Sequence, residues 1–233
     1  MRDGYFGKTF CFSPPVMLVT FLLEFAMAFY VLWRYKLTTV TKIVVAMLFC
    51  LGVFQLAEYM ICGGLGLGHA EWVQLGYVAI TLLPALGIHL TAALAKKKAR
   101  PLIFAAYATA LGYVLYFIAY GAQVISSQCA PNYAIFDMDG QGYLFYGTYY
   151  FGWLLVTIAL ATLWARQKPK QAAALRWTVI GYSAFIVPAM VANMMDPATM
   201  RAIPSIMCGF AIILAIVLVW RVMPLSKTPL RKH

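Results

Sequence analysis

The sequence predicts an all-α integral membrane protein, a seven-transmembrane-helix bundle. Composition and the length of the apolar runs lead to this fold class. Of the 233 residues, 64% are hydrophobic and only 11% are charged, whereas soluble domains average roughly 45–50% apolar and about 25% charged residues. A chain this apolar has too few polar side chains to cover a surface in water. We therefore expect its helices to face lipid.

Seven apolar runs are long enough to cross a hydrocarbon core of roughly 30 Å, which takes about 20 helical residues. Pro14 and Pro15 lead into the first run, and Pro101 stands at the start of the fourth, where a helix does not need the missing N–H. The connections are short, so we expect one domain over residues 1–233. The predicted helices cover about residues 16–33, 43–62, 72–95, 102–125, 143–165, 177–194 and 202–223.

The distribution of basic residues predicts the orientation. The connections after the first, third and fifth helices, together with the last turn of the seventh helix and the tail after it, hold 15 of the 18 Lys and Arg residues. Cytoplasmic loops collect Lys and Arg. We therefore expect the N-terminus outside and the C-terminus inside, in a bacterial inner membrane. The net charge of +11 belongs to these loops, so it does not indicate a nucleic-acid surface.

Two acidic residues lie inside predicted helices, Glu24 in the first and Glu58 in the second. A carboxylate near the bilayer centre is unfavourable by several kcal/mol, and such residues usually face the bundle interior. No Lys or Arg lies within a predicted helix core. Three interpretations stay open: the carboxyls are protonated, they line a wet cavity, or they bind something positive.

Other polar residues fall at a similar depth in the outer half of the predicted bundle. Gln55 shares a helix face with Glu58, because residues three apart are neighbours on a helix surface. A polar pocket open to the outside would gather Glu24, Gln55, Glu58, Tyr146, Tyr149, Asn193 and Ser205. The alternative is that Glu58 reaches the interface and that the tyrosines and Asn193 join helices by hydrogen bonds.

Three cysteines, Cys11, Cys62 and Cys129, belong to the outer side, where the compartment can be oxidising. We expect one disulfide among them, first of all Cys11–Cys129. His89 is expected to be a hydrogen-bonded core residue. With three histidines and no paired metal-ligand spacing, a zinc site is poorly supported. The sequence leaves the cofactor unknown.

The segment Cys11-Phe12-Ser13, followed by a helix, a basic loop and the Gln55/Glu58 pair, resembles a family of small bacterial seven-helix membrane proteins. That family is defined only as a domain of unknown function, and the resemblance covers about the first 95 residues. A fainter likeness, in residues 82–90 and in helices six and seven, is to the seven-helix sensor region of some histidine kinases. The first resemblance implies a seven-helix membrane bundle without an assigned role, and the second implies a sensing role in which signalling needs a separate partner.

Three functional classes follow. The first is a ligand-binding membrane protein, a sensor or a small transporter, with Glu24 and Glu58 in its pocket and an unidentified small ligand. The second is a structural or accessory subunit that contacts a membrane protein partner or a second copy of itself. The third is an intramembrane enzyme, which has the least support because no nucleophile-and-base set or metal set is evident.

Overall fold

The computed structural model of this chain describes residues 14–62, 69–129, 134–138 and 140–231. Within them the fold is a helical bundle with one small β-hairpin, β1 (Ser126–Cys129) and β2 (Ala134–Asp137), which pair antiparallel. The main helices are α1 (Pro14–Arg34), α2 (Thr39–Cys62), α3 (His69–Thr81), α4 (Leu83–Ala95), α5 (Arg100–Val124), α6 (Gly140–Gln167), α7 (Ala172–Met195) and α8 (Ile203–Val217).

Seven of the described helical segments are long and apolar enough to cross a membrane, which confirms the predicted helical architecture. A 3-10 turn (Pro197–Ala202) leads into α8, and a π-helical stretch (Leu218–Val222) continues it. The connection before α6 differs from the expectation. The sequence predicts only a connection between helices there, and the structure forms the β-hairpin within it. We refer to the end of the bundle that carries it as the hairpin end.

The third predicted helix is interrupted in its middle, at Leu82, and becomes α3 and α4. Pro84 is the cause, because a proline inside a helix donates no hydrogen bond and its ring clashes with the preceding turn. The Tyr149 hydroxyl donates to the Thr81 carbonyl at 2.7 Å, and the Thr81 hydroxyl lies 3.0 Å from that of Tyr146. Tyrosines of α6 thus supply hydrogen bonds at the break, as buried backbone in an apolar bundle requires.

The span formed by α3 and α4 is the most buried of the seven, and α5 is the most exposed. Because of the break, the two halves of this span have different packing partners. Helix α3 packs mainly on α2 and α5, while α4 packs mainly on α6 and α2. The remaining neighbours are α1 with α2, α6 with α7, and α7 with α8. This arrangement places α2 between α1, the third span and α8, so residues on several faces of α2 are buried.

Opposite the hairpin lies the basic end, formed by the residues between α1 and α2, α4 and α5, and α6 and α7, and by the last described residues. Tyr35 and Leu230 form an isolated antiparallel bridge there. Lys36 N–H donates to the Pro229 carbonyl at 2.9 Å, and Arg231 N–H donates to the Arg34 carbonyl at 3.0 Å. The last described residues therefore lie along the α1–α2 connection.

Candidate functional site

The two glutamates of the predicted pocket lie on neighbouring helices and are both buried. Glu24 of α1 is 0% exposed and Glu58 of α2 is 1% exposed. Gly52 of α2 explains how the helices approach closely at this level. A Cβ added at Gly52 would lie 2.6 Å from the Phe25 ring and 3.7 Å from the Glu24 Cβ, so a larger residue would have to displace the Phe25 ring.

The carboxyls of Glu24 and Glu58 are close enough to interact electrostatically. Four polar atoms of this region have no hydrogen-bond partner among the described residues: both carboxyl oxygens of Glu24, Oε1 of Glu58 and Nε2 of Gln55. Buried polar groups in proteins are nearly always hydrogen-bonded. Four such atoms on the neighbouring helices α1 and α2 therefore identify a place in this bundle that is suited to a polar or positively charged group.

Ser205 of α8 connects the Glu58 carboxyl to the β-hairpin. Its hydroxyl hydrogen-bonds the Glu58 carboxyl and accepts the backbone N–H of Ala134 at 3.1 Å. Ser205 is 1% exposed. One buried hydroxyl therefore joins α2, α8 and β2, and a displacement of the hairpin would disturb the hydrogen bonding of Glu58.

The hairpin is held over this end of α2 by covalent, ionic and apolar contacts. A disulfide joins Cys62, one helical turn beyond Glu58, to Cys129 at the end of β1. The half-buried Asp137 of β2 forms an ion pair with the exposed Arg201, and the N–O distance is 3.1 Å. The buried Phe136 ring packs against Phe54 and Tyr77, with ring centroids 5.8 and 5.5 Å apart.

The disulfide corrects the expected Cys11–Cys129 pair. Cys129 is bonded to Cys62, and the Cα atoms are 5.5 Å apart, within the range that a disulfide spans. Cys11 lies outside the described residues. The sequence placed all three cysteines at one end but did not indicate that β1 would lie beside the end of α2.

A hairpin-end cavity of about 80 Å³ lies beside the carboxyls. Tyr77 and Cys208 are on its wall, and each also interacts electrostatically with Glu58. Met138, Tyr143 and Pro204 line it farther toward the hairpin. The cavity is mostly apolar, and the glutamates are not among its lining residues; Tyr77 and Cys208 are the lining residues that also interact electrostatically with Glu58.

The structure groups part of the predicted set. Glu24, Glu58 and Ser205 form one cluster, and Gln55 is buried on the same helix as Glu58. Tyr146 lines the cavity, whereas Tyr149 hydrogen-bonds the backbone at the Thr81 break. Asn193 is half-buried in α7, and its Oδ1 has no hydrogen-bond partner among the described residues.

Cys208 and Thr81 were absent from the sequence-based set. The three-residue spacing from Ser205 to Cys208 is a signal that could have identified the cysteine, because it places both on one face of α8. His89 is hydrogen-bonded, as predicted, since its Nδ1 lies 3.2 Å from the Tyr107 hydroxyl, but it is half-buried and not a core residue. In the part of the chain that the structure describes, no three His, Cys, Asp or Glu residues are grouped to hold a metal ion.

Comparison of the chain with protein-family models, curated proteins and solved structures finds no match. The candidate site therefore rests on the geometry of this chain. Chemically, two adjacent carboxyls in an apolar interior can share or exchange protons, or they can bind a small cation or a ligand with an ammonium group.

Proposed function

We propose that the chain is an integral membrane protein that binds a proton, a small cation or a small polar, cationic ligand at the Glu24–Glu58 pair. In this proposal it acts as a sensor or as a small transporter. Its support is the buried pair itself: two carboxyls on neighbouring helices, with three of their four oxygens unbonded among the described residues. Two negative charges at one buried site are strongly unfavourable, so the pair must take up at least one positive charge.

The alternative source of positive charge is a basic side chain, and the described part of the chain offers none at the pair. The Arg201–Asp137 contact is the ion pair found among the described residues, and it lies at the hairpin end. The electrostatic neighbours of the carboxyls are neutral side chains, Ser205, Cys208 and Tyr77. These contacts support an exchangeable proton or cation over a fixed salt bridge.

In this proposal, the hairpin-end cavity is the route by which a ligand approaches the carboxyl pair. It leads from Met138 and Pro204 to Tyr77 and Cys208, which border the carboxyl pair. The ligand would enter from the hairpin end and pass these two side chains. The hairpin, held by Ser205 and by the Cys62–Cys129 disulfide, would control this passage.

The membrane orientation is part of the same proposal. The basic end faces the cytoplasm, because cytoplasmic loops collect Lys and Arg, and the hairpin end faces outward. The Cys62–Cys129 disulfide supports this orientation, since disulfides persist in oxidising compartments outside the cytoplasm. The membrane we propose is a bacterial inner membrane. Membership of the family of small seven-helix proteins remains part of the proposal.

The testing experiment identifies what the purified protein binds. Wild type and the Glu24→Gln and Glu58→Gln variants are purified in mild detergent, and everything that accompanies them is identified by native mass spectrometry. Glu71→Gln is the matched control, because Glu71 is an exposed glutamate in the first turn of α3. We expect a bound cation or small cationic molecule in wild type and the control and its loss from both variants. A stoichiometric protein partner with no small ligand would instead favour an accessory subunit.

Flux measurements separate a transporter from a sensor. Proteoliposomes that contain a pH-indicator dye receive an imposed Na⁺ or K⁺ gradient. A transporter moves protons or the cation in wild type and not in Glu24→Gln or Glu58→Gln. A sensor binds the cation without flux. If both variants keep every binding and flux property of wild type, the carboxyl pair has no role in function.

A further inference from the structure

The basic end gathers like charges without acids to balance them. The described segments that form it, residues 34–42, 96–100, 166–176 and 221–231, contain no Asp or Glu. The fold brings some of these bases together, because the pairing of Arg231 with Arg34 and of Lys36 with Pro229 lays the last described residues along the α1–α2 connection. The positive charges of such a surface repel one another unless anions lie against it.

A basic-end cavity of about 340 Å³ opens in this surface. It lies between the first turn of α2, the last turns of α4 and the first turn of α5. Polar groups on its wall come from Thr38, Thr39, His89 and Lys97, and the remaining wall is formed by small and aliphatic side chains. The size is within the range of ligand pockets, roughly 300–1,000 Å³.

The position of Lys97 beside the cavity is fixed by the end of α4. Lys96 adopts the left-handed conformation with φ of 53°. Lys96 N–H donates to the Ala93 carbonyl at 3.2 Å, and Lys97 N–H donates to the Ala92 carbonyl at 3.0 Å. This is a Schellman motif, which ends a helix and turns the chain sharply. Lys97 therefore follows a rigid turn, and it lines the cavity whereas its neighbours Lys96 and Lys98 do not.

The other polar groups of the cavity also suit an anion. Thr39 and Val40 begin α2, where the first N–H groups lack acceptors within the helix and carry partial positive charge. Thr38 caps this terminus: its hydroxyl accepts the Thr41 N–H at 3.3 Å. His89 uses Nδ1 in its contact with Tyr107, and that contact does not involve Nε2. An ammonium group, a helix N-terminus, hydroxyls and an imidazole together match a phosphate.

Two large exposed apolar side chains are adjacent in sequence to lining residues of the basic-end cavity. Leu37, next to Thr38, is 59% exposed, and Phe104, next to Ile103 on the cavity wall, is 76% exposed. A free phosphate ion gains nothing from apolar neighbours, whereas the acyl chains of a lipid can pack against them. We infer that the basic-end cavity binds the phosphate headgroup of an anionic membrane lipid, with its chains along Leu37 and Phe104. This inference rests on the proposed membrane insertion and orientation, but not on the Glu24–Glu58 pair.

The test compares two neighbouring lysines. Lys97→Ala and Lys98→Ala each remove one exposed positive charge, but only Lys97 lines the cavity. Binding of phosphatidylglycerol and of phosphatidylcholine is measured by native mass spectrometry after delipidation. We expect Lys97→Ala to weaken phosphatidylglycerol binding about fivefold to tenfold, Lys97→Arg to restore much of it, and Lys98→Ala to change it little. Phosphatidylcholine should bind weakly to all of them.

Three results would overturn the inference. Equal weakening in Lys97→Ala and Lys98→Ala would indicate diffuse attraction without a site. Inorganic phosphate that binds wild type and displaces phosphatidylglycerol, with no effect of Leu37→Ser or Phe104→Ser on lipid binding, would identify a soluble anion as the occupant. Wild type that shows no preference for phosphatidylglycerol would remove the site altogether. Glu24→Gln and Glu58→Gln should keep the lipid preference, so failure of this inference is distinct from failure of the proposed carboxyl site.

Discussion

The backbone N–H of Ala134 donates a hydrogen bond to the Ser205 hydroxyl at 3.1 Å. The same hydroxyl hydrogen-bonds the buried carboxyl of Glu58. A strand of the hairpin is thereby connected through one side chain to the proposed binding pair. The Cys62–Cys129 disulfide attaches the other strand to α2 one turn beyond Glu58. Both strands of the hairpin are thus fixed to elements that carry the site.

We predict that Ser205→Ala destabilises the protein by about 1–3 kcal/mol, because it leaves the Ala134 N–H and the Glu58 carboxyl without a buried partner. Hydrogen exchange at the Ala134 amide should accelerate more than exchange in α5. Ser183→Ala, a change of the same size at a half-buried position of α7, is the control. Equal stability and equal exchange in the two variants would contradict the connecting role of Ser205.

We predict that the disulfide is found between Cys62 and Cys129 by peptide mapping without reduction. Replacing both cysteines by serine should lower the free energy of unfolding by about 2–4 kcal/mol, because the crosslink closes a long loop in the unfolded chain. Cys50→Ala, at a free cysteine, serves as the control. Recovery of a peptide that joins Cys11 to Cys129 would refute the assigned pairing.

We predict that Gly87→Ala destabilises the contact between α4 and α7 by about 1–3 kcal/mol through overpacking. A Cβ at Gly87 would clash with the hydroxyl oxygen of Tyr182, a residue that is itself fully buried. Gly112→Ala is the matched control, since a Cβ there meets nothing within 4 Å. At Gly112, helix propensity alone favours alanine. The midpoint temperature of thermal unfolding should therefore fall in Gly87→Ala and rise in Gly112→Ala.

We predict that Tyr149→Phe lowers the free energy of unfolding by about 1 kcal/mol, the scale of interhelical hydrogen bonds in membrane proteins. The variant removes the donor to the Thr81 carbonyl at the break between α3 and α4. Tyr116→Phe removes a hydroxyl from a more exposed ring on α5 and should have a smaller effect on thermal unfolding. The reverse order would show that the Thr81 carbonyl does not depend on Tyr149.

The helical segments could be predicted because each depends on local composition. Seven long apolar runs are sufficient to indicate seven helices, whatever they pack against. Glu24 and Glu58 were identifiable for the same reason, since an acid within an apolar run is conspicuous without knowledge of its neighbours. Their burial agrees with the expectation that intramembrane acids face the interior.

The remaining features depend on contacts between distant segments. The strands β1 and β2 are four residues each, and pairing rather than composition creates them. The partner of Cys129 follows from the position of that hairpin over α2. Pro84 was visible in the sequence, but whether a helix bends or breaks at a proline depends on neighbours such as Tyr149, which satisfy the exposed backbone.

The central claim is that Glu24 and Glu58 form one exchangeable binding unit. Infrared difference spectroscopy of the purified protein tests it directly, because protonated and ionised carboxyl groups absorb at separate frequencies. We expect wild type and Glu71→Gln to show a carboxyl signal when the pH is changed or when Na⁺ or K⁺ is added. Glu24→Gln and Glu58→Gln should each lose or alter that signal. A difference spectrum that is the same in wild type and in both of these variants would contradict the claim.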